Sequence, residues 1–476
     1  MIKNLVGGGW VAVDAADSLP IYNPATAEEI ERVPLSGPAE VEAAAAVAAE
    51  AYERWSRTPV MERVRLMFRF KQRLEDDFEN LAAIVTRHHG KTLEEARGEV
   101  RRGIEVVDFA CGAPTLLQGR TLREVSAGVD QDLYRYPLGV AAGIPPFNFP
   151  AMIPLWMFPL AVVAGNTFIL KPSERTPLGA VRVAELFLEA GFPPGVLNLV
   201  HGAKDAVDAL IAHRAVRAIS FVGSEPVARA VYAAAARHGK RVQALGGAKN
   251  HILVLPDADL ELAVPAILGS AFGNAGERCL AGSVAVAVRG VEDRLLPALK
   301  EQAERLVVGP GDRPGSQVGP LIRADHRARV AGHIERGLAE GATLLADGRG
   351  HMSKPGWFLG PTILEGVSDG MAAGREEIFG PVLSVSHQPD LDTAIAQANR
   401  MALGNMAVVF TSSGRSARRF REEVQAGMVG VNVPVAQPFA FFPFSGWKGS
   451  FYGDLHVHGT DGIDFYTRKK VVVTRW

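Results

Sequence analysis

The chain has 476 residues, enough for two or three domains with cores of their own. Lys plus Arg number 51 against 52 for Asp plus Glu, which excludes the basic footprint of a nucleic-acid binder or of a protein held on an acidic membrane surface. Only two cysteines are present, and Met1–Val13 has neither the apolar core of a signal peptide nor the arginines of a transit peptide, so the expected setting is reducing and cytoplasmic.

Apolar residues recurring every three or four positions predict helices over Val41–Tyr52, Met61–Thr86 and Leu93–Ala110. Cys111 closes the last of these and reads as a packing residue. Tyr134–Pro137 alternates enough to belong to a strand or hairpin. Leu138–Leu170 carries no charge and by hydropathy resembles a membrane span. Pro145, Pro146, Pro150, Pro154 and Pro159 interrupt it, so a buried strand, a loop and a packed helix are expected instead.

From Gly139 the texture is that of a parallel sheet covered by helices. Strands at Val140–Ile144, Thr167–Leu170, Val196–Val200 and Ala218–Phe221 alternate with helices such as Pro177–Ala190, Asp205–Ala212 and Pro226–Ala236. Ligands of such sheets bind at the carboxyl ends of the strands. Those ends are Pro145–Asn148, Lys171–Glu174, His201–Gly202 and Gly223–Glu225. A lysine just past a buried strand can hold ribose hydroxyls or phosphate, and a nearby carboxylate accepts hydrogen bonds from a ribose diol; Lys171 and Glu174 fit that pairing. Gly223-Ser224 opens a helix whose free N–H groups suit a pyrophosphate. The usual G-x-G-x-x-G fingerprint is absent, so an ordinary strand–turn–helix explains this stretch equally well.

After Gly246 a second unit begins with a strand at Ile252–Leu255 and a helix from about Asp259 into Gly269. The stretch Gly273–Gly282 then sets Cys279 among small residues, just before an apolar strand, Ser283–Val288. A thiolate is a good nucleophile toward carbonyl carbon, and Arg278 beside it is expected to lower its pKa. The bland alternative is a small core residue. The histidines show no metal-ligand spacing, His88-His89 and His456/His458 read as surface or packing residues, and no metal is expected.

Together these segments resemble the aldehyde dehydrogenase superfamily almost end to end. The resemblance is carried by Tyr22-Asn-Pro-Ala-Thr26, Pro146-Phe-Asn-Phe-Pro150, Leu170-Lys-Pro-Ser173, Phe221-Val-Gly-Ser224 and Glu376-Glu-Ile-Phe-Gly-Pro381. Gly247-Ala-Lys-Asn-His251, Gly276-Glu-Arg-Cys-Leu-Ala281, Ser450-Phe-Tyr-Gly-Asp-Leu-His456 and Asp464-Phe-Tyr-Thr-Arg-Lys-Lys470 narrow it to the CoA-acylating, methylmalonate-semialdehyde dehydrogenase branch.

The resemblance implies an α/β architecture: a Rossmann-type parallel-sheet NAD domain (1–115 and 138–245), an α/β catalytic domain (246–447) and a small β oligomerisation element (116–137 and 448–476). It implies Cys279 as nucleophile and Asn148 as oxyanion donor. Phe147, Lys171, Ser173, Glu174, Gly202, Gly223, Ser224, Glu377 and Phe379 fall on NAD-binding positions, and Arg102 and Arg278 on positions around the substrate carboxylate and coenzyme A. A carboxylate at Glu174 favours NAD over NADP. Hydrolytic members carry a glutamate just before the Gly-Gly that opens the catalytic domain. Here Gln243 or Ala244 holds that slot, and neither can act as a base.

The expected reaction is therefore NAD-dependent oxidation of malonate or methylmalonate semialdehyde with loss of CO2 and transfer to CoA. A hydrolytic aldehyde dehydrogenase is the nearest alternative, and a catalytically inactive relative the more distant one. An apolar terminal strand, Val471–Val473, would be an exposed edge without a partner, so a homodimer or homotetramer is expected.

Overall fold

The computed structural model describes residues 1–13 and 17–476. Two twisted sheets dominate it. The first has eight strands in the order Gly9–Val11, Asn4–Val6, Leu197–Leu199, Thr167–Leu170, Val140–Ile144, Val216–Val222, Arg241–Leu245 and Phe451–Tyr452. Its five central strands are parallel, while Asn4–Val6 and Phe451–Tyr452 join antiparallel to their neighbours. Val140–Ile144 is first in sequence among the central five, and the chain runs outward from it on both sides. The sheet therefore has a switch point between Val140–Ile144 and Val216–Val222, where the loops leave in opposite directions and open a crevice.

The second sheet has seven strands, ordered Thr343–Ala346, Thr362–Glu365, Val382–Gln388, Gly282–Val288, Asn250–Val254, Met406–Phe410 and Met428–Val431. All are parallel except the edge strand Thr343–Ala346. Four residues separate Leu245 from Asn250, so the carboxyl edge of the first sheet faces the amino edge of the second. A third sheet pairs Thr467–Arg475 with Val129–Pro137 along nine residue pairs, and Arg120–Ser126 lies on its far side. Leu122, Val471 and Val473 are each at least 60% exposed on it, an apolar surface of the kind a partner covers.

The uncharged run becomes a buried strand, a loop and a helix, Met152–Val163, whose twelve residues are all buried. Pro154 lies in its first turn, where its missing N–H leaves no bond unmade. Among the described residues no helix is long and apolar enough to cross a membrane. The helix expected over Met61–Thr86 is two helices, Val60–Asp76 and Phe78–His89. The break falls at Asp77, whose carboxylate accepts from Arg182 Nε and Nη2, both at 3.0 Å. That pairing across helices outweighs the periodicity, which runs through the break unchanged.

Phe78–His89 ends at Gly90, at φ 97°; a side chain there would meet Pro24 and Pro320 at 2.7 Å. The turn delivers Lys91 and Thr92 to the start of the next helix, Leu93–Cys111, which Thr92 and Glu95 close with reciprocal hydrogen bonds. Cys111 is buried in the core, and burial pushes its thiol up to about 12, which suits a packing role. His88, His89 and His458 are buried packing residues, whereas His456 is half-buried.

Candidate active site

A cleft of about 610 Å³ opens at the switch point of the first sheet and runs to Cys279. Phe147, Asn148, Lys171, Ser173, Glu174, Gly223 and Ser224 line it from the first sheet, and Glu377 and Phe379 from the second. Lys171 Nζ donates to Glu174 Oε2 at 3.2 Å and to the carbonyl of Gly202 at 2.8 Å. Burial works to raise the Glu174 carboxyl, but the Lys171 charge and hydrogen bond prevail and hold it below the ordinary value. Ser224 caps the helix Glu225–Arg237 without a side-chain hydrogen bond, leaving the first N–H groups of that helix free for an anion. A Cβ at Gly223 would stand 2.5 Å from the Phe221 ring, and one at Gly246 would stand 2.6 Å from the Gly449 carbonyl, so both glycines keep the cleft wall bare backbone. These features fit a dinucleotide.

The cysteine loop is built from a tight turn, Gly273–Gly276, in which Asn274, Ala275 and Gly276 all have positive φ (56°, 52° and 72°). A Cβ on Gly276 would lie 2.1 Å from the Gly380 carbonyl, so this position requires glycine. Downstream, the Cys279 carbonyl accepts from Asn250 Nδ2 at 2.8 Å and Asn405 Nδ2 at 3.0 Å. Ser270 Oγ accepts from the Gly282 N–H at 2.9 Å. The thiol is thus held by its backbone and partly accessible. Burial pushes it up to about 12; Glu377 acts in the same direction, and Arg278 opposes both. Arg278 lowers the thiol pKa as expected, but its pull is smaller than desolvation, so the net shift is upward. The resting group is a thiol, not a thiolate.

Glu377 is itself half-buried. Its Oε1 accepts from the Ala248 N–H at 3.0 Å, and burial raises the carboxyl to about 7. Glu277, two residues before the cysteine, is fully buried and raised by desolvation to about 8. It faces two neutral imidazoles, His326 at 3.3 Å and His89 at 3.9 Å, and the His89 ring stacks on Phe147. Burial holds His326 at about 4 and His89 well below the ordinary histidine value.

A second cavity, about 260 Å³, reaches Cys279 from the other side. Arg102, Phe149, Trp156, Arg278, Val435 and Phe444 are among its walls. Arg102 pairs with Glu105 at 2.9 Å and lies over the Phe439 ring at 4.6 Å. One thiol therefore closes two chambers, one walled by strand ends and glycines, the other by arginines and aromatic rings.

The sequence profile of the aldehyde dehydrogenase family matches residues 10–472. The chain belongs to that family. The aldehyde dehydrogenase is 54% identical to malonate-semialdehyde dehydrogenase 3 of Geobacillus kaustophilus, over all of this chain and 99% of the relative. It is 52% identical to the malonate-semialdehyde dehydrogenase of Halalkalibacterium halodurans, over all of this chain and 98% of that protein. Its fold superposes with a TM-score of 0.98 on the methylmalonate-semialdehyde dehydrogenase of Oceanimonas doudoroffii, at 45% identity, covering all of this chain and 98% of the other. A Sinorhizobium meliloti 1021 protein assigned the same activity and solved with NAD gives 0.98 at 42% identity, with the same coverage. The α/β aldehyde dehydrogenase fold expected from the sequence is thus the fold of this enzyme.

Of the residues singled out in the sequence, the aldehyde dehydrogenase brings nine together in the cleft with Cys279: Phe147, Asn148, Lys171, Ser173, Glu174, Gly223, Ser224, Glu377 and Phe379. Gly202 stands behind that wall, bracing Lys171 through its carbonyl. Arg102 and Arg278 meet in the second cavity. Gln243 and Ala244 lie in the strand Arg241–Leu245; Gln243 is buried and accepts from Ser220 Oγ at 3.2 Å. Asn250, Asn405, Glu277 and the buried pair Lys91–Glu99 were missed. Asn250 and Glu277 sit inside quoted motifs, but Asn405 and the Lys91–Glu99 pair lie outside them.

Proposed function

We propose that this aldehyde dehydrogenase oxidises malonate or methylmalonate semialdehyde with NAD, releases CO2 and passes the acyl group to coenzyme A, giving acetyl-CoA or propionyl-CoA. The observation that carries the reading is Cys279 at the junction of two chambers, one shaped for a dinucleotide and the other lined by two arginines. NAD, when bound in the cleft, supplies the hydride acceptor. The aldehyde enters the second cavity, where an arginine holds its carboxylate as a bidentate pair. The Cys279 thiol first gives its proton to water in the open cleft; the thiolate Sγ then attacks the carbonyl carbon, and the new oxyanion is stabilised by the Cys279 N–H and by Asn148 Nδ2. Asn148 Nδ2 already gives one hydrogen to the Glu277 carbonyl at 2.9 Å, which fixes the amide while its second N–H remains to donate.

Loss of hydride leaves a thioacyl group on Cys279 with a carboxylate β to its carbonyl. Breaking the bond to that carboxylate puts its electron pair on the thioester oxygen, where the same two donors serve again. The resulting enolate takes a proton, and the CoA thiolate then displaces Cys279. The glutamate that would activate water is replaced by Gln243 or Ala244, neither of which lines the cleft. A hydrolytic reading has one observation in its favour, the Glu377 carboxyl raised to about 7 beside the thiol.

The proposed roles are 1–115 with 138–245 as the NAD-binding domain, 246–447 as the catalytic domain and 116–137 with 448–476 as the oligomerisation element, although Phe451–Tyr452 of that last segment also edges the first sheet. The exposed Leu122, Val471 and Val473 support a homodimer or homotetramer; the proposed setting is the cytoplasm.

The test is a rapid-mix assay of NADH with and without CoA. Without CoA, a burst of about one NADH per active site is expected, followed by slow turnover. With CoA, turnover is sustained and CO2 is released one for one with NADH from a dicarboxylic semialdehyde. Equal steady rates with and without CoA would establish the hydrolytic reading instead.

A further inference from the structure

The helix Leu93–Cys111 presents Glu95, Glu99 and Arg102 on successive turns of one face, and each reaches a different part of the site. Glu95 Oε1 accepts from the Asn274 N–H at 2.5 Å, at the left-handed turn of the cysteine loop. Glu99 Oε1 accepts from the Ala151 and Met152 N–H groups at 2.8 and 3.1 Å, at the start of the helix that follows Asn148. Glu99 Oε2 accepts from Lys91 Nζ at 2.6 Å, and Lys91 donates a second hydrogen to the Asn148 carbonyl at 2.7 Å. The third face of that ammonium lies 4.1 Å from the centre of the Phe149 ring. Asn148 and Asn274 then meet again, both donating to the Glu277 carbonyl, at 2.9 and 2.7 Å. The contacts form a closed ring: helix, oxyanion segment, cysteine loop and back to the helix.

We propose that Lys91 and Glu99 are positioning residues that hold the Asn148 amide in register with Cys279. The proposal rests on the reading above, in which Asn148 donates to the oxyanion. Their side chains are both fully buried. A buried ion pair contributes little net stability compared with apolar residues of the same size, so folding alone is a weak reason for this one. Placement is a stronger reason, since a donor displaced by about an ångström can lose a hundredfold in rate. The pair grips the backbone at Asn148 and just beyond it, through the residue's own carbonyl and the N–H groups three and four positions on. Nothing in the ring touches the second N–H of the amide.

The test uses the full-length enzyme with NAD and propanal, read as the rate constant of the NADH burst. In the double variant Lys91→Met/Glu99→Gln both charges are removed together, and glutamine still accepts from Ala151 and Met152. The burst is expected to slow by about tenfold to a hundredfold. Alkylation of Cys279 by iodoacetamide, which develops no oxyanion, is expected to keep its rate, and NAD is expected to bind as before. In an Asn148→Ala background the double change is expected to add less than about twofold, because the donor it positions is gone. Glu99→Gln alone should show the same pattern at smaller amplitude, so a double variant that does not fold leaves the test intact. A burst at the wild-type rate would overturn the proposal. So would parallel loss of alkylation and NAD binding, or effects that multiply with Asn148→Ala. A wild-type enzyme giving no NADH burst would overturn the parent reading first, before any variant is made.

Discussion

The two chambers that meet at Cys279 are built by different means. The cleft is a product of sheet topology: consecutive residues at strand ends, bare glycine backbone and a helix start, converging where the strand order reverses. The second cavity is a product of packing: a helix face around residues 99–102, a loop end and helix start at 149–156 and a distant segment at 435–444. The first kind of site binds through backbone and a few fixed polar groups, and tolerates little change in its glycines. The second selects by side chain, and can be altered without disturbing the sheet. A common cofactor and a variable aldehyde call for that division.

The sharpest way to break the comparison is to remove the shared wall. Cys279→Ala should abolish NADH formation, while NAD binding, measured by protein fluorescence, persists because the cleft keeps its strand ends. Cys111→Ala should leave activity near wild type; NADH formation that survives in the Cys279 variant would mean the two chambers do not share a reacting group.

A second test separates the chambers by substrate. Arg278→Leu and Arg102→Leu should raise KM for malonate semialdehyde on the order of tenfold, with little change for propanal, which lacks the carboxylate. KM for NAD should stay put. An equal defect with propanal would move these arginines from selection to support of the thiol.

The smallest expected effect probes the boundary itself. With its thiol at about 12, Cys279 should react with iodoacetamide about tenfold faster for each unit of pH between 7 and 10, without a plateau. Glu377 adds to that elevation, so Glu377→Gln should lower the thiol pKa and speed alkylation several-fold at pH 8, measured by mass spectrometry of the labelled peptide. Below about pH 7 the Glu377 carboxyl is itself protonated and the difference should fade. A ratio that does not change across pH 7 would mean that Glu377 acts on the thiol by something other than its charge.

Much of the cleft was legible in the sequence because its residues lie in short contiguous runs, such as Lys171–Glu174, at ends of strands that the apolar pattern locates. Gly202 was legible as a strand end and, through the resemblance, as an NAD-binding position; that its carbonyl braces Lys171 requires coordinates. The pull of Arg278 on Cys279 was legible from adjacency in sequence, but the larger opposing effect of burial is a property of the whole fold. The Lys91–Glu99 pair was invisible for a related reason. A lysine and a glutamate eight residues apart near a helix start look like solvated charges, and only the arrival of residues 148–152 buries them. The break at Asp77 depends likewise on Arg182, more than a hundred residues away.

The eight-stranded sheet draws one edge strand from residues 9–11 and the other from residues 451–452, so its two borders come from opposite ends of the chain. During synthesis the five parallel strands are all available once Leu245 has emerged, yet one border stays open until about two hundred more residues follow. Closure joins Phe451 to Leu245, the residue that leads into the Gly246–Gly247 link between the sheets. The Gly246 N–H bonds to the Ser450 carbonyl at 2.8 Å, and Ser450 Oγ to the Gly247 carbonyl at 2.7 Å. A segment made about two hundred residues after the strands it joins is therefore what fastens the link between the sheets, and an enzyme cut short before Ser450 would carry Cys279 and its neighbours on an unsealed frame.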